Sequence, residues 1–131
     1  MRVVPVRLGP DGTLVCARDH GAPGEPLADV LRDAGDAEVV FEVRNVPGEP
    51  DFDAPACAVA HALVDALRGR EGVTVASEDW FSIEVARDAG LRTAFVPPEG
   101  VAIDAALAYV TEARHAGCLV PEPGGPRWVA P

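Results

Sequence analysis

The chain has 131 residues, of which 48% are hydrophobic and 24% are charged, and this balance excludes an intrinsically disordered protein. The formal net charge is −10, with 21 acidic residues against 11 arginines and no lysine, so we expect no nucleic-acid partner. No apolar run approaches the roughly 18–20 residues of a membrane-spanning helix, and the N-terminal residues lack the apolar core of a signal peptide. The sequence therefore predicts a single cytoplasmic domain over residues 1–131, without a membrane span and with its three cysteines reduced.

The chain alternates predicted strands with predicted helices. In chain order, strands are predicted over residues 3–8, 38–44, 73–77, 91–96 and 118–120. The Asp11-Gly12 turn signal adds a hairpin-like partner strand at residues 13–17. Apolar residues at three- and four-residue steps predict helices over residues 26–34, 56–67, 82–89 and 103–113. Glycines that favour helix ends precede the following strands at Gly35, Gly72, Gly90 and Gly117.

This alternation predicts an α/β fold with a parallel sheet of about five strands and flanking helices. A complete (β/α)₈ barrel needs about 250 residues, so the chain is long enough for part of a barrel or for an open, doubly wound sheet. Asp53 and Asp79 are placed to cap the helices that follow them. Trp80 is predicted to lie in the core, and the segment 127–129 is predicted to lie outside the regular repeat.

Four segments of the chain carry a resemblance to a known family. They read VVPVRLGPDGTLV at residues 3–15, VFEVRN at 40–45, VTVASED at 73–79 and ARHAGCLVP at 113–121. In the same order they resemble the VRLTxDGxLV, xxEIKx, VxVSSFD and GxxALHP segments of the glycerophosphodiester phosphodiesterase family. The resemblance implies a shortened, TIM-barrel-like domain that lacks the first and last strands of the full barrel.

The same resemblance implies that most of the catalytic groups are missing or replaced. Members of the family hydrolyse glycerophosphodiesters with two histidines and a Ca²⁺ or Mg²⁺ ion. Their Glu-x-Asp metal pair falls on Val3 and Pro5 of this chain, and the histidine of their His-Asp pair falls on Arg18, with Asp19 retained. Side chains such as valine and proline bind no cation. The resemblance therefore implies the family fold in a catalytically degenerate form, a pseudoenzyme.

Two charged residues on a predicted strand suggest a binding site. Glu42 and Arg44 are two positions apart, so they share one face near the C-terminal end of their strand, where α/β folds place ligands. The resemblance aligns Glu42 with the metal-binding glutamate of EIK and Arg44 with its lysine. Arg7 on the neighbouring strand is expected in the same pocket, with Asp19 nearby. Because guanidinium groups pair with phosphate oxygens, Arg7, Glu42, Arg44 and Asp19 are predicted to bind a small phosphate-bearing molecule; alternatively, Arg7 only forms an ion pair with Glu42.

Two other functions stay open at this point. The first is an active phosphodiester hydrolase with a rebuilt site, in which His20 and Arg44 are catalytic and Glu42, Glu78 and Asp79 hold Ca²⁺ or Mg²⁺. The second is a subunit without catalytic activity that completes a barrel as a homodimer, because an incomplete sheet has edges that can pair with another chain. A metal is expected as a cofactor only for the active hydrolase.

Overall fold

The computed structural model describes residues 2–19, 21–53 and 56–131. The strands in these residues are β1 (Arg2–Leu8), β2 (Leu14–Cys16), β3 (Glu25–Pro26), β4 (Val39–Val43), β5 (Val73–Ser77), β6 (Arg92–Phe95), β7 (Gly117–Val120) and β8 (Arg127–Val129). The helices are α1 (Leu27–Ala34), α2 (Ala58–Leu67), α3 (Trp80–Asp88) and α4 (Ile103–Ala113). None of these helices has the length and apolar character needed to cross a membrane.

The eight described strands form one sheet in the order β3-β2-β1-β4-β5-β6-β7-β8. The neighbours β1, β4, β5, β6 and β7 are parallel, and they correspond to the five predicted strands. Strands β2 and β3 extend one edge and β8 the other, all in antiparallel pairing. The predicted α/β class is confirmed, and the sheet is larger than predicted and mixed in direction.

One face of the sheet is covered by the described helices. Alternate side chains of β1, β4 and β5, including Val6, Phe41 and Val75, form an apolar cluster with residues of α1, α2 and α3. A second cluster joins α3 and α4 to Phe95 of β6 and Cys118 of β7. Because each parallel crossover returns on this same face, the arrangement is that of a barrel segment rather than a doubly wound sheet.

The opposite face of the sheet curves around a small core of its own. Val3 of β1 and Leu119 of β7 belong to one cluster and line one cavity, although three strands lie between β1 and β7. This closeness requires the sheet to curl toward a barrel shape. Small side chains such as Ala76 and Ala94 fill the narrow interior, and both are fully buried. The C-terminal ends of the parallel strands surround the mouth of this interior.

The structure differs from the sequence expectations at both tryptophans. Trp80 is 55% exposed rather than part of the core, so that prediction was wrong. Trp128 lies in β8, an antiparallel edge strand outside the regular repeat, where the sequence analysis predicted no strand. Its indole ring packs over Gly117, where a Cβ atom would lie 2.7 Å from the ring carbon Cζ2, so only glycine allows this approach. The guanidinium of Arg92 lies over the same ring, 4.6 Å from its centroid.

Candidate functional site

A cavity of about 490 Å³ opens where the parallel strands end. Its lining combines a few apolar side chains of the inner face with five charged groups. The lining residues are Val3, Arg18, Glu42, Arg44, Glu78, Val96, Leu119, Pro121, Glu122 and Pro126. The volume falls within the usual range for small-molecule sites, and the position is the one that α/β folds use for ligands. This cavity is the candidate site.

Glu42 is the central charged group of the cavity. It projects from β4 toward the inner face, and its side chain is only 8% exposed. One carboxylate oxygen, Oε2, accepts a hydrogen bond of 3.1 Å from Nη1 of Arg44, and the other, Oε1, accepts one of 3.3 Å from Nη2 of Arg18. One carboxylate is therefore shared between two guanidinium groups. We call Arg18, Glu42 and Arg44 the arginine site.

The arginine site carries a net positive charge of one, and its donors are not all used. Nε of Arg44 is buried and has no hydrogen-bond partner among the described residues. Arg18 is 58% exposed at its side chain, so its guanidinium reaches solvent while it contacts Glu42. Guanidinium groups with free N–H donors at the mouth of a cavity are suited to oxyanions such as phosphate and carboxylate. The second ion pair of the cavity, Arg127 with Glu122, is balanced and exposed.

Arg18 is the site residue that the sequence interpretation did not place in the binding set. The resemblance aligned it with a catalytic histidine, and this alignment was the available signal that residue 18 faces the site. In the structure the position holds a permanent cation, which bonds the buried Glu42. Arginine has no accessible neutral form near neutral pH, so residue 18 performs no general acid–base catalysis.

Arg7 lies outside the cavity, contrary to the expected meeting with Glu42. Its guanidinium bonds both oxygens of Asp51 and forms an ion pair of 2.5 Å with Glu49, and its side chain is only 2% exposed. Nε of Arg7 also donates to the backbone carbonyl of Arg18. Arg7 lies one residue beyond Val6, the last residue of β1 paired with β4, so it meets the loop after β4 instead of the site. Its two carboxylate partners leave no charge for a ligand.

The three carboxylates proposed as metal ligands are not brought together into one cluster. Glu78 lines the cavity with Glu42, whereas Asp79 points toward the helices and caps α3 by accepting a hydrogen bond from the backbone N–H of Phe81. Asp79 also accepts hydrogen bonds from Ser82 and Asn45. In the parts of the chain that the structure describes, no group of three His, Cys, Asp or Glu side chains is placed to hold a metal ion.

The remaining predicted residues contribute little to this cavity. Asp19 is exposed and does not line it. His20 lies outside the described residues, so its predicted catalytic role stays a prediction. Of the residues predicted to bind a ligand, the structure therefore brings Glu42 and Arg44 together and adds Arg18.

Comparison with known proteins supports the fold alone. A search against protein-family models found no match, and neither did a search of curated proteins. The structure is similar to the crystal structure of a glycerophosphodiester phosphodiesterase from Thermotoga maritima, with a TM-score of 0.69 and 16% sequence identity. The similarity covers 91% of this chain and 59% of that one. The chain therefore has a glycerophosphodiester-phosphodiesterase-like fold and spans little more than half the length of that enzyme.

Proposed function

We propose that this chain is a glycerophosphodiester-phosphodiesterase-like domain that binds a small phosphate-bearing molecule in the cavity at the arginine site, without hydrolysing it. The observation that carries the proposal is the geometry of Glu42, a buried carboxylate held between Arg18 and Arg44. Two cations on one anion leave a surplus positive charge within the arginine site, at one wall of a cavity of about 490 Å³ that Glu78 and Glu122 also line. A phosphate group supplies the negative charge and the acceptor oxygens that this arrangement lacks.

The donor set argues against the metal ion that the fold family implies. Ca²⁺ and Mg²⁺ require several oxygen ligands, and the cavity wall near Glu42 offers the hydrocarbon side chain of Val3. Both oxygens of Glu42 are already bonded to arginine. A divalent cation at Glu42 would also be repelled by two guanidinium groups. The residues present therefore do not fit a divalent metal ion. The positive charge that would neutralise a phosphate comes instead from the guanidinium groups of Arg18 and Arg44.

Ligand titration tests this proposal directly. Glycerol 3-phosphate is titrated into the protein in EDTA by isothermal calorimetry, and binding is expected without a divalent ion. Arg44→Ala should weaken binding by about tenfold or more, because a charged hydrogen bond contributes about 1.5–3 kcal/mol. Arg68→Ala is the matched control, since Arg68 also forms a single ion pair, with Asp65, but on the exposed surface of the chain.

Four outcomes would contradict the proposal. Binding that requires Ca²⁺ or Mg²⁺ would favour the rebuilt hydrolase, as would release of glycerol phosphate from glycerophosphodiesters in the presence of those ions. Equal loss of binding in Arg44→Ala and Arg68→Ala would show a nonspecific charge effect. With a millimolar dissociation constant, a hundredfold excess of ligand should stabilise the folded protein by about 2.7 kcal/mol. If neither heat of binding nor thermal stabilisation is seen at that concentration, the site does not bind the ligand.

A further inference from the structure

A second cavity, beside the arginine site, has a different chemistry. Its volume is about 350 Å³, and it lies at the C-terminal ends of β4, β5 and β6. Two prolines and three aromatic rings form its walls, with polar groups at its base and rim. We call it the aromatic cleft, and the residues that matter for its chemistry are Asn45, Phe52, Glu78, Asp79, Trp80 and Phe81.

The aromatic rings of the cleft are exposed yet held in place. Phe52, Trp80 and Phe81 are 39%, 55% and 50% exposed, and with Val101 they make up the exposed large hydrophobic residues of the described chain. One face of Trp80 stacks on the ring of Tyr109 with the centroids 4.9 Å apart. A concentration of apolar exposure in one place marks a binding surface, since such residues are otherwise scattered or buried.

The loop that carries Phe52 is fixed on both sides of this residue. Asp51 is bonded by Arg7, and the backbone of Asp53 exchanges two hydrogen bonds of 2.8 Å with the side chain of Asn45. Phe52 therefore forms a wall of the cleft that is ordered before any ligand binds. Such preorganisation reduces the entropic cost of binding.

The charge in the cleft is entirely negative and is not neutralised. The side chain of Glu78 forms no hydrogen bond or ion pair with any residue that the structure describes. Among the described residues, Asp79 accepts hydrogen bonds only from uncharged groups, namely the amide of Asn45, the thiol of Cys57, the hydroxyl of Ser82 and the backbone of Phe81. The described residues that line the cleft include no arginine or histidine. Anions are therefore disfavoured here, in contrast to the arginine site.

We propose that the aromatic cleft binds a small organic cation, a protonated amine or a quaternary ammonium group. Aromatic faces attract such cations through their quadrupoles, and the attraction is strongest for tryptophan. The two carboxylates add charge complementarity, whereas the rings offer no ligand atoms to a metal ion. The volume of about 350 Å³ is appropriate for a small molecule. The aromatic cleft shares Glu78 with the cavity of the arginine site and contains none of the three residues of that site.

Tetramethylammonium chloride and tert-butanol are suitable probes because they have similar size and differ in charge. Each is titrated into the ¹⁵N-labelled protein, and the indole N–H signals of the two tryptophans are followed by NMR. Tetramethylammonium is expected to shift the Trp80 signal in a saturable manner and to leave Trp128, on the inner face of the sheet, unchanged. Sodium chloride at equal ionic strength and tert-butanol should not shift the Trp80 signal saturably.

Matched variants separate the ring from the charge. Trp80→Leu is expected to weaken tetramethylammonium binding about tenfold, measured by the signals of the remaining cleft residues. Glu78→Gln should weaken it about threefold to tenfold, whereas Glu99→Gln, the loss of an exposed carboxylate outside the cleft, should leave it unchanged. Equal binding of tert-butanol would overturn the proposal in favour of a neutral apolar ligand. No saturable shift with tetramethylammonium, or equal effects of Glu78→Gln and Glu99→Gln, would also overturn it.

Discussion

Two charge clusters near the ends of β1 and β4 have opposite compositions. Around Arg7, one guanidinium is shared by two carboxylates, Glu49 and Asp51. Around Glu42, one carboxylate is shared by two guanidiniums, Arg18 and Arg44. The first cluster joins β1 to the loop after β4, and the second lines a cavity. The two are connected, because Nε of Arg7 bonds the backbone carbonyl of Arg18.

The difference shows how the placement of the surplus charge separates a structural cluster from a binding cluster. In the Arg7 cluster the cation is almost fully buried, and its carboxylate partners are more exposed, Glu49 at 31% and Asp51 at 16%. In the arginine site the anion is buried, and the surplus positive charge resides on arginines that reach the cavity. The first arrangement anchors the loop that carries Glu49 and Asp51, and the second leaves a positive charge at the cavity wall.

The largest expected effect comes from breaking the Arg7 cluster. Arg7→Met removes the buried guanidinium that Glu49 and Asp51 share. The free energy of unfolding should fall by about 3 kcal/mol, as is typical when one partner of a buried ion pair is lost. Urea denaturation measures this change.

An exposed cluster of the same composition is the control for Arg7→Met. Arg32 on α1 also lies between two carboxylates, Asp29 and Asp33, but its side chain is 71% exposed. Arg32→Met should change the free energy of unfolding by less than about 1 kcal/mol, because surface ion pairs contribute little. Similar losses for both variants would show that burial does not distinguish the Arg7 cluster.

Much of the fold could be predicted from sequence because its signals are local. Glycine after a helix and a β-branched run after the glycine marked four of the five parallel strands, and the apolar run at residues 3–8 marked the first. The structure has each strand within about two residues of its predicted bounds. Strand β8 was missed because its three residues are flanked by breakers, and its pairing with β7 depends on tertiary contacts. The exposure of Trp80 was missed because residue type predicts only average burial.

The candidate site was predicted only in part, for a geometric reason. Strand alternation correctly placed Glu42 and Arg44 on one face, since that depends on a period of two. Alternation does not specify how far along the sheet a side chain lies, so Arg7 was assigned to the wrong partner. Its actual partners, Glu49 and Asp51, are in a loop without periodicity, more than 40 residues away.

An intermediate effect is expected from breaking the arginine site at its anion. Glu42→Gln removes the negative charge that Arg18 and Arg44 share, so both guanidiniums become available to a ligand. Affinity for glycerol 3-phosphate should rise about fivefold, the opposite of the Arg44→Ala effect, because one more unit of positive charge faces the phosphate. Calorimetric titration measures the change.

Asp65→Asn is the matched control for Glu42→Gln. It removes a carboxylate from the exposed ion pair with Arg68 and changes the net charge of the chain equally. The affinity of this variant should equal that of the unmodified protein. A fall in affinity for Glu42→Gln would mean that Glu42 mainly orients the two arginines and does not compete with the phosphate for them. The surplus positive charge would then not explain binding.

The smallest expected effect is a pH dependence of the folding stability. It comes from a buried titratable group that belongs to neither charge cluster. His115 is buried, and its ring nitrogens are bonded to the hydroxyls of Thr93 and Tyr109. Burial, and then the charge of Arg87, lower the pKa of His115 below its usual 6.5. In the unfolded chain the imidazole takes up its proton near the usual pKa of 6.5. Just below this pH, the unfolded state therefore binds more protons than the folded state. Stability contributed by neutral His115 is therefore complete above about pH 6.5 and is lost as the pH falls toward the lowered value.

The variant His115→Asn isolates this contribution from the carboxylates that also titrate in acid. Because the unmodified protein loses stability on acidification and the variant lacks the imidazole, His115→Asn should destabilise the protein more at pH 8 than at pH 5.5, by urea denaturation. Thr93→Val keeps the imidazole and removes one of its partners, so it should retain the pH dependence of the unmodified protein. An equal effect of His115→Asn at both pH values would mean that carboxylates, and not His115, cause the loss of stability in acid. The two carboxylates of the Arg7 cluster would then be the first groups to test.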